Sequence, residues 1–87
     1  MARFFFDLVD NGTSYPDTEG TDLPTLASAE DEAARALLEI AKDQMPNGTF
    51  RQVALQVHAG TTASLFVVKA TFELIRNEPY PDQQVGA

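Results

Sequence analysis

Cysteine is absent from the 87 residues, which removes disulfides, thiolate metal sites, iron–sulfur clusters and a cysteine nucleophile together. Histidine occurs once, at His58, so only one side chain has an unperturbed pKa suited to proton transfer near neutral pH. Basic residues are few. Six Lys and Arg stand against thirteen Asp and Glu, for a net charge of −7. Eight of the acids lie between Asp7 and Glu32 with no Lys or Arg among them. Phosphate backbones and anionic lipid surfaces require clustered cations, so direct binding to nucleic acid or to a membrane is disfavoured. Long apolar runs are also missing. The longest, Leu65 to Val68, has four residues, and Met1 to Asp7 lacks the apolar stretch of a signal peptide. A cytoplasmic protein is expected.

What the chain does have is enough apolar residue, 44%, for one small core. Arg3 to Val9 places Phe4, Phe6 and Leu8 on one side and Phe5, Asp7 and Val9 on the other, the alternation of a strand. Asp10-Asn11-Gly12 supplies residues that tolerate positive φ at a tight turn, so Thr13 to Tyr15 is predicted to return as a second strand. Residues 16–27 show neither helical nor strand period. They read as an acidic loop with Asp17, Glu19 and Asp22, long enough to be suspected of a function.

Ser28 is read as the N-cap of a helix, with Glu30, Asp31 and Glu32 complementing its dipole. Its apolar stripe is Ala33, Ala34, Leu37, Leu38, Ile40, Ala41 and Met45, with Asp31–Arg35 and Glu39–Lys42 as surface pairs. Pro46-Asn47-Gly48 is expected to end it. Phe50 to His58 alternates again, with Val53, Leu55 and Val57 inward. After a turn at Ala59-Gly60-Thr61-Thr62, a last strand is predicted over Ala63 to Arg76. Together these give an α+β domain over residues 1–76: two β-hairpins flanking one helix (ββαββ), with a four-stranded, mainly antiparallel sheet and the helix on one face. Residues 77–87, with Pro79 and Pro81, read as a flexible tail.

The N-terminal half resembles a known family. Arg3-Phe4-Phe5-Phe6 as opening strand, the Asp10-Asn11-Gly12 turn, the Asp17-x-x-Gly20-x-x-Leu23 loop, and Ala29 and Ala33 entering the helix are similar to small uncharacterised bacterial proteins forming a domain of unknown function. The resemblance covers residues 3–45. It implies a compact ββαββ domain and carries no activity, substrate or catalytic residue.

No catalytic constellation is legible. Ser14, Ser28 and Ser64 each have a turn, cap or strand-end role, and His58 lies beside a turn on the polar face. Neither a Walker A nor a dinucleotide-binding glycine pattern occurs, and no EF-hand spacing links Asp10, Asp17, Glu19 and Asp22. No cofactor is expected. Phe4, Phe5, Phe6, Phe66 and Phe72 are assigned to packing, because the charge argues against a nucleic-acid stacking surface. One helix leaves one sheet face bare, with Phe5, Val9, Leu65 and Val67 as an apolar patch. That patch and the long last strand suggest a homodimer. The chain is therefore read as an acidic protein-interaction or structural module, self-associating and open to a basic or apolar protein partner. The alternative is a metal-dependent binder or small enzyme using loop residues Asp17, Glu19 and Asp22.

Overall fold

The computed structural model describes residues 1–45, 48–60 and 63–77, and the structural statements below concern those residues. The chain is α+β, with one helix and five strands, all paired antiparallel. β1 spans Ala2–Asp10, β2 Thr13–Tyr15, β3 Thr21–Leu23, α1 Leu26–Gln44, β4 Phe50–His58 and β5 Phe66–Glu73. The strand order is β2-β1-β4-β5, with β3 also on β1.

The first hairpin forms as predicted. Asp10 pairs with Thr13, leaving a two-residue loop in which Asn11 (φ 51°) and Gly12 (φ 95°) both take the left-handed conformation of a type I′ turn. A third strand follows where a loop was expected. The returning chain pairs with β1 at Leu8↔Tyr15 and again at Phe4↔Thr21. Four residues of β1 are thus matched by six of the return, and the excess is taken up in residues 16–20.

The helix begins earlier than expected. Thr25, not Ser28, is the N-cap: its Oγ1 accepts from Ser28 N–H (3.0 Å), and Ser28 Oγ accepts from Thr25 N–H (3.2 Å), a reciprocal capping box. The acids Glu30, Asp31 and Glu32 therefore fall beyond the first turn. The Asp31–Arg35 pair forms at 2.8 Å between exposed side chains, whereas Glu39 and Lys42 form no ion pair among the described residues. The helix ends at Gln44, with Met45 extended (φ −112°, ψ 149°) as the residue before a proline prefers. Pro46 and Asn47 lie outside the described residues, as do Thr61, Thr62 and residues 78–87 of the expected tail.

The core lies between α1 and one face of the sheet. Ala29, Ala33 and Leu37, four residues apart, pack on Phe4, Val53, Leu55 and Val57, with Phe6, Leu8, Phe66, Val68 and Ala70 around them. The alanines let the helix approach closely, and Val53 and Val57 are fully buried; each such side chain contributes about 1.5–3 kcal/mol on leaving water. The apolar stripe is narrower than predicted: Ala34 and Leu38 point to solvent, and Ala36 takes a core-facing place. β5 is shorter than predicted, because its partner β4 starts at Phe50, opposite Glu73.

Among the described residues, the capping box is the side-chain satisfaction of the α1 N-terminus. Thr25→Ala should lower stability by about 1 kcal/mol, read as a lower urea midpoint at unchanged slope.

Candidate functional site

The residues with chemical potential gather where residues 16–20 cross the edge of β1. Asn11 N–H donates to Gln52 O on the β4 side (2.7 Å), and strand alternation then turns Phe6 N–H to the opposite edge. There it falls between the β2 and β3 pairings, with no ladder partner. Asp17 fills the gap. Its Oδ2 accepts from Phe6 N–H (3.1 Å), while Oδ1 accepts from Glu19 and Gly20 N–H (3.1 Å each). A side-chain carboxylate thus stands in for the missing strand carbonyl and closes an Asx turn at the same time.

Asp17 is tied to the sheet a second time through its own main chain. Its N–H donates to Asp7 Oδ1 (2.9 Å), and Asp7 Oδ2 lies 3.0 Å from His58 Nε2. His58 Nδ1 accepts from Gly60 N–H (3.1 Å), so Nδ1 is the bare nitrogen and Nε2 carries the proton donated to Asp7. The imidazole also stacks on Phe5, with ring centroids 5.2 Å apart and planes inclined by 10°. Phe5 is hemmed in further by Gly20. A Cβ there would come within 2.9 Å of the Phe5 ring and 2.8 Å of Arg3 Cγ, and φ is +74°, so only glycine fits. Arg3 closes the loop from outside, with Nη1 donating to Glu19 O (2.6 Å) and Nη2 to Asp22 Oδ2 (3.2 Å).

Burial of the Asp17 carboxyl acts to raise its pKa. The N–H groups of Phe6, Gly20 and Glu19, with a contribution from His58 when charged, outweigh that and hold the group below the usual aspartate value. Elsewhere, Asp10 is neutralised by Arg51, whose Nη2 lies 2.9 Å from both carboxylate oxygens with the side chains only 18% and 15% exposed.

In this arrangement the polar groups are hydrogen-bonded to one another. A general base needs a free lone pair within reach of a substrate, and both nitrogens of His58 are engaged inside the protein. The acids Asp17, Glu19 and Asp22 do not converge: Asp17 faces the β1 backbone, Asp22 meets Arg3, and Glu19 is exposed. Among the described residues, no group of three or more acidic or imidazole side chains is placed to hold a metal ion.

The expected apolar patch is also divided. Phe5 is covered by His58 and Gly20, and Val9 is half-buried beside Ala54, whereas Leu65 and Val67 remain exposed at β5. Asp7 and Arg51 were not singled out from the sequence, and Arg3 and Gly20 figured only in the motifs of the family resemblance. The one local sign was Asp17 followed at the third position by Gly20, an Asx-turn spacing.

Fold and site define a small α+β module: one helix on an antiparallel sheet, with a polar network that locks its edge loop. Residues 3–71 match the family described as domain of unknown function DUF6894, and the chain belongs to that family. The match extends well past residue 45, through β4 and into β5. No curated protein and no solved structure matches the chain. No helix among the described residues is long and apolar enough to cross a membrane.

Asp17→Asn should cost about 1–3 kcal/mol, since an amide nitrogen cannot accept and leaves one side of the three N–H groups without a partner. The pH dependence has a fixed sign. A carboxyl whose pKa is lowered by folding stabilises the fold above its unfolded value and loses that contribution as pH falls through the folded one. The stability gap between wild type and Asp17→Asn should be full at pH 7 and shrink below about pH 4, as measured by urea titrations at each pH.

Proposed function

We propose that this chain is a non-catalytic protein-interaction module of the cytoplasm that associates with itself through its sheet and offers an acidic surface to a basic partner. The observation that carries self-association is the clustering of exposed apolar residues at one strand. Leu65, Val67, Leu74 and Ile75 all lie in or beside β5 and are exposed. Small soluble domains seldom leave such a cluster uncovered unless something docks there. The enzymatic alternative is weakened by the same geometry that builds the loop, because His58, Asp7 and Asp17 are all committed to internal hydrogen bonds.

The acidic surface is separate. Glu19 and the helix acids Glu30, Asp31 and Glu32 are exposed, so a partner at that end would carry Lys or Arg. Nucleic acid is disfavoured there by the same charge.

Sedimentation velocity over about 1 μM to 1 mM, a span that brackets weak to moderate association, should show a dimer growing in with concentration. A single monomeric species throughout would overturn self-association.

A further inference from the structure

We infer that a second copy of this chain pairs with the outer edge of β5, antiparallel and centred on Thr71, so that Lys69 of each copy lies opposite Glu73 of the other. This rests on the self-association proposed above and gives it a geometry.

β5 ends the strand order, and among the described residues nothing pairs with its outer side. Its outward backbone groups follow from one bond: Leu74 N–H donates to Thr49 O on the β4 side (2.7 Å). Ladder alternation then turns Phe72, Ala70 and Val68 toward β4 as well, and leaves Val67, Lys69, Thr71 and Glu73 with N–H and C=O pointing outward. Natural edges are commonly blunted by proline, a bulge, a short strand or charged side chains. β5 runs eight residues without proline, in unbroken register from Phe50↔Glu73 to Val57↔Phe66, and its two charges, Lys69 and Glu73, are of opposite sign; the ladder is irregular only at its start, where Leu65 N–H donates to Val57 O (2.7 Å) although Phe66 stands opposite Val57.

Two-fold symmetry restricts the register. An antiparallel strand pair centred on a residue sets positions two before and two after it opposite each other. Centring on Lys69 puts Lys against Lys, and centring on Glu73 puts Glu against Glu. Centring on Thr71 sets Lys69 against Glu73 twice and Thr71 against Thr71, all on residues whose backbone points outward. Val67, 47% exposed, then meets Ile75, and Leu74 meets Val68. Opposite charges and β-branched residues directly across a ladder are the pairs that stabilise sheets.

Charge selects this edge over the other. The copies carry −7 each and repel in general. The β2–β3 edge adjoins Asp17, Glu19 and Asp22, whereas β5 carries one Lys and one Glu and is neutral.

The test uses the full chain and sedimentation equilibrium. Thr71→Pro removes the outward N–H at the two-fold centre, at a position where an edge strand tolerates proline; it should keep a cooperative melt and lose the dimer. Lys69→Glu and Glu73→Lys should each weaken the dimer about tenfold, since two charge pairs turn from attractive to repulsive. Mixed together, the two single variants should recover association, because each position 69 then faces the opposite charge at 73. A Thr71→Pro chain that dimerises like wild type overturns edge pairing and leaves packing of sheet faces. A mixture no tighter than its components overturns the register. A wild-type chain that stays monomeric sinks self-association itself.

Discussion

The return of the chain along β1 depends on the Asp17 carboxylate. Residues 16–20 carry two residues more than the ladder can seat, so the return strand must leave β1 between Tyr15 and Thr21. That departure would expose Phe6 N–H on an edge otherwise paired above and below. An unmade hydrogen bond in a half-buried place costs about 1–3 kcal/mol. Asp17 supplies the acceptor, and its second oxygen gathers the N–H groups of Glu19 and Gly20, so one side chain repairs the ladder and shapes the turn that interrupted it. β3 lies where it does because this turn returns the chain to β1 in register with Phe4, and β3 in turn delivers Thr25 to the start of the helix.

The same constraint ties the titratable side chains of the loop to one another. Asp17 holds its position through Asp7, Asp7 through His58, and His58 through Gly60 N–H and the face of Phe5. A network in which each member is satisfied specifies one arrangement and resists rearrangement. An imidazole beside a carboxylate resembles part of a catalytic triad in outline. Here, however, the nitrogen that would face a nucleophile accepts a backbone N–H instead, so the pair acts as a strut.

Much of this fold was legible from the sequence where a period or a local turn rule governs. Phe4-Phe6-Leu8 and Val53-Leu55-Val57 alternate because one face of each strand is buried, and Asn11-Gly12 is dictated by φ alone. β3 escaped because Thr21-Asp22-Leu23 is too short to show a period, and its pairing is imposed by tertiary bonds to Asp17. The helix start was misplaced by one turn because Thr25-x-x-Ser28 and Ser28-x-x-Asp31 are both plausible boxes. The choice between them is made by where β3 releases the chain. The last strand was drawn too long because Leu74 continues the alternation, yet strand length is set by a partner, and β4 stops at Phe50. For the candidate site, residue identities were partly visible, since Asp17 and Phe5 stood out. Their roles were not, because a carboxylate turned toward backbone N–H and one turned toward solvent look alike in sequence.

The helix-free face bears on how such a small module meets a second molecule. A bare sheet face demands a covering layer only if it is apolar, and this one is largely polar: Gln52 donates to Thr71, and Gln56, Lys69 and Glu73 lie on it. Ala54 is only 8% exposed there, with Val9 and Lys69 directly opposite it on the neighbouring strands. Phe5 is half-buried against His58 and Gly20. The apolar surface still in water is therefore displaced from the middle of the face to the rim, at Val67 and the residues flanking β5. In the self-association proposed above, a rim whose backbone groups have no partner among the described residues favours extension of the sheet over stacking of two faces. Main-chain bonds and the few exposed apolar side chains are then satisfied by one partner strand, and the acidic N-terminal third of each copy is kept away from the shared edge.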